Sequence, residues 1–351
     1  MLNSTCRMLS AGYKFIATNR GLTVRPCCVY DTEQVVHTQA DIVQWRKSVN
    51  DLDSYQEPNC KDCNYVERSR VKGSRRQLSF QYVPDNAAVG DPSWLEIQTD
   101  ITCNGGCVTC GPWFSSYWAQ ELGQPIKISQ RKDNLHKISE LVDLQRTTHI
   151  VILGGEPFLS DTDERLLDYI KDPSKVSLQI TTNGSVYPNA KKLESWKYFK
   201  SVLLNFSIDG VGARFEYLRY PLKWTRVEQN MLKLDHEASA NVRCKINHTL
   251  TSLNLYYFDE FYQWYQQRWA ADPHCRGWAL TTTPASGILS PQIVSKTLQQ
   301  LVHNRYGQQK PATAIEQIVP SRTDLRAFLQ SIDQRRGLDW QQTFSEIAQA
   351  L

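Results

Sequence analysis

Cys103, Cys107 and Cys110 stand in the run Cys-Asn-Gly-Gly-Cys-Val-Thr-Cys, three thiols at C-x3-C-x2-C spacing directly after a strand-like segment. Soft thiolates select iron–sulfur or zinc over hard cations. Three of them on one loop can hold three irons of a cubane cluster and leave the fourth iron open to a ligand. A structural zinc site would need a fourth Cys or His to close its tetrahedron. None follows within the next 25 residues, His136 being the first candidate. A second set of thiols comes earlier: Cys6, the pair Cys27-Cys28, and Cys60-x2-Cys63. These supply at least four ligands, enough for a closed auxiliary cluster, and a zinc ribbon on the same four thiols is the competing reading. Either Cys27 or Cys28 is the fourth ligand, and Cys27 is favoured.

Composition bounds what such thiols can belong to. The chain has 351 residues, 41% hydrophobic and 11% aromatic, enough for one large domain and a smaller one around a real core. Its net charge of +4 permits contact with nucleic acid without arguing for it. The opening Met-Leu-Asn-Ser-Thr-Cys-Arg has no long apolar run, so no signal peptide is expected. No stretch reaches the ~18 apolar residues of a membrane helix. Ten cysteines in tight groups on a cytoplasmic-looking chain favour metal over disulfides.

The elements that must position these thiols fall into three regions. Residues 1–85 are cysteine-rich and carry a basic stretch at 67–76, read as a solvated face or as a contact for phosphate or an acidic substrate. Residues 83–92, punctuated by Pro, Gly, Asp and Asn, read as a linker. Residues 93–290 alternate β-branched runs near 94–99, 149–153, 176–181, 202–208, 242–247 and 278–282 with helical patterns such as 132–144 and 161–170. Six such repeats predict an α/β fold, a partial (β/α)6 TIM-type barrel with parallel strands. Residues 291–351 read as a helical C-terminal extension, with segments at 293–301, 322–332 and 340–351.

The remaining polar motifs fall at the ends of these strands. The thiol triplet follows the first, Gly154-Gly155-Glu156-Pro157 the second and Thr182-Asn183-Gly184 the third, while Ser207-Ile208-Asp209-Gly210 ends the fourth. A β/α barrel builds its active site on that rim. The glycines allow backbone N–H groups to approach a ligand, and Glu156 offers a carboxylate to a ligand cation. Asp209 and Ser207 can bond hydroxyls, as can Asn183, and Arg219 can fork a carboxylate. Each of these is, taken alone, as readily a turn residue or a solvated arginine. His248, at the end of the fifth strand, reads as a general base, a cofactor-site residue or a core histidine. Cys244 and Cys275 match neither thiol set and read as buried small residues, with Cys244 a lesser candidate for a hydrogen-atom donor facing the barrel.

This combination resembles the radical S-adenosylmethionine superfamily over most of the chain. The resemblance implies that Cys103, Cys107 and Cys110 ligate a [4Fe–4S] cluster whose fourth iron chelates the amino and carboxylate groups of S-adenosylmethionine. Reductive cleavage to methionine and a 5′-deoxyadenosyl radical, followed by abstraction of a substrate hydrogen atom, is the implied reaction. It also implies that Gly154, Gly155 and Glu156 hold the methionine amino group, Ser207 and Asp209 meet the ribose, Asn183 lines the cofactor site and Arg219 takes the carboxylate. The position before the last cluster cysteine is usually aromatic or large and apolar in that family. Here it is Thr109, so Trp113 or Phe114 is expected to make the adenine contact. The N-terminal thiols Cys6, Cys27, Cys60 and Cys63 resemble a twitch module, the shorter relative of the SPASM domain, holding an auxiliary [4Fe–4S] cluster. A subgroup of twitch-type proteins, many from phages and bacteria, places it before the barrel and shares the Cys-Gly-Pro-Trp-Phe-Ser-Ser continuation seen at 110–116. A reductase or flavodoxin-type electron donor is the implied partner.

The substrate is less directly written. The resemblance and the basic stretch favour a nucleotide or DNA base, modified or isomerised, for example an amino-acid-modified thymine. Peptide cross-linking, oxidation or epimerisation is the alternative, and residues 1–85 do not look like the leader-binding winged helix of many peptide enzymes. A zinc-binding interaction protein without activity is the third reading.

Overall fold

The computed structural model describes the chain except residues 1–5, 19, 51, 69–73, 126–130, 271–277, 286, 293 and 308–324. Cys275, the middle of the basic stretch and the start of the expected helix at 322–332 therefore lie outside the described residues.

All six anticipated strands are present: β4 (Trp94–Gln98), β5 (His149–Ile152), β6 (Ser177–Thr182), β7 (Ser201–Ser207), β8 (Val242–Leu250) and β9 (Ala279–Pro284). Each pairs in parallel with the next. Parallel neighbours need long crossovers, which the intervening helices supply. Three further strands were not anticipated: β1 (Gly12–Thr18), β2 (Gly21–Arg25) and β3 (Gln34–Val35). The β1–β2 and β2–β3 pairings are antiparallel, but β1 lies parallel to β4, giving one sheet in the order β3-β2-β1-β4-β5-β6-β7-β8-β9. The cysteine-rich segment is thus continuous with the barrel sheet, which remains open between its edges β3 and β9.

The two faces of the sheet differ, because successive side chains point to opposite sides. On the outer face, Phe15, Leu95, Ile97, Ile150, Ile180, Leu204, Phe206 and Ile246 are buried against the helices. Cys244 belongs to this face, with Val242 and Ile246, so it does not face the barrel as the hydrogen-donor reading required. The inner face is polar and only partly covered, as in the alternation of buried and half-buried positions along β6 and β8. Near β4 and β5 it is covered by the N-terminal segment, where Trp94 and Val151 pack with Met8, Leu9, Tyr30 and Val83.

The C-terminal extension is helical at Lys296–Tyr306 and Leu325–Arg336, whereas only Trp340–Thr343 of the expected last helix forms. Beyond it the chain winds in turns that bury Phe344, Ile347 and Ala350 against Tyr217, Leu218 and Trp118, so packing outweighs helix propensity there. No helix of the described residues is long and apolar enough to cross a membrane.

Candidate active site

The triplet loop leaves β4 and is held in shape from several sides. Thr102 N–H donates to Asp100 Oδ1 at 2.6 Å, and Ser116 Oγ accepts the Cys103 N–H at 2.9 Å. Ser115 Oγ donates to the Gly105 carbonyl at 2.6 Å and accepts from Trp118 N, so one residue closes the loop and caps the helix Ser116–Glu121. Trp118 Nε1 donates to the Cys107 carbonyl at 2.8 Å. Gly106 and Val108 N–H groups donate to the Tyr220 and Leu218 carbonyls at 2.6 and 2.8 Å, fastening the loop to the end of helix Gly212–Leu218. The Ser-Ser pair after the third cysteine therefore works as a strap on the thiol loop.

The three thiols are free and lie close enough that the charges of Cys107 and Cys110 act on Cys103. Burial pushes Cys103 up to about 12 and Cys110 up to about 11, and raises Cys107 as well. Thiols in this condition need positive charge nearby to become the thiolates that bind metal. Arg219 provides it, its Nη1 lying 3.9 Å from Cys107 Sγ. Among the described residues no group of three or more His, Cys, Asp and Glu side chains converges as the ligands of a single ion do. Three thiols on one cation-flanked loop fit the three protein ligands of a cluster with one open iron.

Gly154-Gly155-Glu156-Pro157 does not serve quite as expected. Its N–H groups are committed to the thiol loop: Gly155 N–H donates to the Phe114 carbonyl at 3.2 Å and Glu156 N–H to the Thr102 carbonyl at 2.7 Å. The glycines are required because both backbones have positive φ (84° and 54°) and run against that loop. A Cβ at position 155 would stand 2.1 Å from the Thr102 carbonyl oxygen, and one at 154 would stand 2.1 Å from Gln98 Cγ. Gly155→Ala is expected to cost about 1–3 kcal/mol in a denaturation curve and to lower iron loading, since backbone strain there displaces the thiol loop.

The Glu156 carboxylate is buried and turned inward, where Oε1 accepts from Thr182 Oγ1 at 2.6 Å and Phe158 N–H at 3.0 Å, and Oε2 accepts from Asn183 N–H at 2.7 Å. Burial raises its pKa, and these three donors act the other way. It braces the β5 and β6 ends together rather than presenting a free carboxylate to a ligand. Asn183 extends the brace, its Nδ2 donating to Asn104 Oδ1 at 3.0 Å in the thiol loop.

At the ends of β7 and β8 a second departure occurs. Asp209, fully buried, forms an ion pair with Arg219 at 2.6 Å, and its Oδ1 accepts the Thr249 N–H at 2.8 Å. Two residues expected to bind different parts of a ligand are instead paired with each other beside Cys107. The reason is that Arg219 ends helix Gly212–Leu218 pointing back over the strand ends, where a buried cation needs a partner. Ser207, the last residue of β7, is half-buried. His248 is a core residue, stacked on Phe261 with ring centroids 4.1 Å apart and bonded through Nδ1 to the Ile208 carbonyl at 3.0 Å. Burial pulls its pKa down to about 4. Trp113 and Phe114 are exposed on the loop after Cys110. The Phe114 carbonyl accepts the Gly155 N–H.

The N-terminal thiols Cys6, Cys27, Cys60 and Cys63 are all buried and free. Cys6 senses Cys63, Cys27 senses Cys6, and Cys60 senses both Cys6 and Cys63. Cys28 acts on Cys27 more strongly than Cys6 does, and Arg75 Nη2 lies 2.8 Å from its Sγ. Four buried thiols whose charges act on one another are the donor type that an iron–sulfur cluster takes, although among the described residues they do not converge as the ligands of a single ion do. Of the described part of the basic stretch, Arg68 is exposed, but Arg75 and Arg76 do not form a solvated face. Arg76 is buried, bonded to Glu67 at 2.7 Å and to Asn64 at 2.7 Å, and Arg75 reaches the inner face of the sheet, 3.6 Å from Glu96. Their register on helix Arg75–Tyr82, capped by Ser74, turns them inward.

Sequence reasoning missed Arg336 altogether. Its guanidinium holds Glu121 through two bonds of 2.8 and 2.9 Å, lies 4.4 Å over the Trp118 ring, and acts on Cys107 as a second positive charge. Nothing in its local sequence marks it, because 215 residues separate it from Glu121.

Residues 101–264 match the family model described as the Radical SAM superfamily. No curated protein sequence matches the chain. Solved structures with a similar fold include Streptococcus suis SuiB bound to S-adenosylmethionine, at 15% identity and a TM-score of 0.37, over 93% of this chain and 70% of that one. Native anSMEcpe with bound AdoMet is similar at 15% identity and a TM-score of 0.43, over 60% of this chain and 58% of that one. SuiB bound to the precursor peptide SuiA aligns at 13% identity and a TM-score of 0.38, over 96% and 74% of the two chains. The three loop thiols, the Gly-Gly-Glu-Pro turn and Asp209 all lie within the residues that match the Radical SAM superfamily model.

Proposed function

We propose that this enzyme transforms a nucleotide or DNA base held in the lumen of the sheet, between two iron–sulfur clusters. The observation that carries this reading is the arrangement of the thiols about the polar inner face. Cys103, Cys107 and Cys110 stand at the C-terminal ends of the strands, and Cys6, Cys27, Cys60 and Cys63 belong to the segment packed on the inner face at β4 and β5. Cys103, Cys107 and Cys110 would hold the cluster with the open iron, and the N-terminal four would hold a closed auxiliary cluster. Such a cluster would supply the electron for reductive cleavage of S-adenosylmethionine and so the means of removing a hydrogen atom from the substrate.

The chain's own residues make this workable in three ways. Arg219 and Arg336 offset the negative charge gathered by three thiolates. Glu156 ties the β5 and β6 ends to the loop, which keeps the backbone of Gly154 and Gly155 in place for the methionine amino group. Ser207, at the mouth of the lumen, would meet the ribose. The substrate class is supported by the lining. Gln98, Gln179, Asn205 and Asn247 occupy inner-face positions, and amide groups of this kind match the donor and acceptor pattern of base edges.

The test is anaerobic incubation with dithionite and S-adenosylmethionine, offering nucleosides, DNA and peptides and following products by mass spectrometry. 5′-Deoxyadenosine with a changed nucleoside or DNA base is the expected result. Turnover of a peptide alone would replace the substrate class. A colourless protein holding zinc and neither iron nor sulfide would end the radical reading.

A further inference from the structure

We infer that the lumen receives an anionic group of the substrate, a carboxylate or a phosphate, on Lys245 and Arg75. This deepens the reading of the lumen as the substrate chamber and rests on it. Lys14, on β1, and Glu96, on β4, are register partners on the inner face, with Nζ and Oε2 3.7 Å apart. Arg75 stands on the other side of the same carboxylate, 3.6 Å from Oε1. Glu96 is fully buried and is flanked by two cations.

Lys245 is a third cation on this face. In the sheet it is in register with Asn205, which in turn pairs with Thr181. Among the described residues no carboxylate lies within ion-pair distance of its Nζ. Burial, and then the charge of Arg75, hold its pKa below the usual lysine value. Among the described residues, Lys14, Arg75 and Lys245 share one paired carboxylate, Glu96, which leaves this face with an excess of positive charge. Partly buried cations without partners are costly to maintain and are a ready-made receptor for an anion.

A second, independent feature points to a ligand in the same place. Asn205 Oδ1, Gln98 Nε2 and Glu96 Oε2 are buried on this face and have no hydrogen-bond partner among the described residues. Gln98 and Asn205 are only 2% and 4% exposed, so bulk water does not readily satisfy them. An unmade bond on a buried polar atom costs about 1–3 kcal/mol, and a bound molecule with both donors and acceptors recovers it. An anion seated on Lys245 and Arg75 would bring its neighbouring polar atoms to these two amides.

The full-length protein, anaerobically reconstituted and saturated with S-adenosylmethionine, can be titrated by calorimetry with two matched pairs. Thymidine 5′-monophosphate against thymidine tests phosphate, and N-acetylglycine against N-acetylglycinamide tests carboxylate. In one pair the anion is expected to bind about tenfold or more tighter than its neutral partner, the worth of one charge-assisted bond. Lys245→Met should reduce that preference to about twofold or less, and Lys245→Arg should retain it. A preference in neither pair, or one that survives Lys245→Met, overturns the inference. So does a preference seen only when S-adenosylmethionine is omitted, because the site would then belong to the cofactor's own carboxylate. These titrations need no electron and no bond cleavage, so absence of 5′-deoxyadenosine formation would sink the radical reading and leave this result standing.

Discussion

Cys103→Ala is expected to abolish 5′-deoxyadenosine formation and to remove the iron and sulfide of one cluster while leaving those of the other. Loss of a partner that merely orients a metal ligand costs about 10–100-fold in affinity or activity, and loss of a ligand itself should exceed that by at least an order of magnitude. The nearest carboxylates are already engaged, Asp209 with Arg219 and Glu156 with Thr182 and Asn183. The matched comparison is Ser116→Ala, which removes the acceptor of the Cys103 N–H and the donor to the Cys103 carbonyl while leaving the thiol, and should fall within the 10–100-fold range. Iron and sulfide content of anaerobically purified protein, with the rate of 5′-deoxyadenosine release, reads both effects. If Cys103→Ala retained its iron and its rate, the triplet would not be the cofactor-cleaving site.

Arg219→Met is expected to destabilise the fold by about 3–5 kcal/mol, the cost of breaking a buried ion pair from one side. The cause is Asp209, fully buried and 2.6 Å from the guanidinium, which would be left as an uncompensated charge beside Cys107. Asp209→Asn combined with Arg219→Met should recover a large part of that loss, because the stranded charge is gone. Denaturant midpoints of the two single variants and the double variant give the coupling directly. Additive costs would mean that the pair is incidental. Iron loading should not recover in the double variant, since the cation 3.9 Å from Cys107 is still missing. Stability and cofactor retention thus separate two roles of one arginine.

Both expectations depend on how the strand ends are occupied, and the chain shows clearly what local pattern can reveal about that. The six parallel strands from β4 to β9 were legible because β-branched runs alternate with helical periodicity over windows of ten to twenty residues. The thiol triplet was legible because its chemistry is complete within eight residues, Cys103 to Cys110. Gly154 and Gly155 were legible as special positions, although the reason differed: their freedom is used to press one loop on another, and Glu156 to brace two strands. The N-terminal strands were missed because β1 is stabilised by parallel pairing with β4, more than seventy residues away, a bond that leaves little trace in local composition.

What the sequence by itself determined is therefore the chemistry at one point: three thiols with an open position, set on a strand end of an α/β scaffold. The tertiary structure alone decided which charges surround that point and what lies beneath it. It aimed Arg75 and Arg76 of the basic stretch inward at Glu96 and Glu67, joined Asp209 to Arg219, and brought Arg336 from the C-terminal extension to the thiol loop. It also placed Lys245 on a polar inner face with no carboxylate at ion-pair distance among the described residues. The physical reason is the same in each case. A ligand set can be specified by spacing along the chain, whereas the partner of a buried charge is set by whatever the fold brings within a few ångströms, at any distance in sequence.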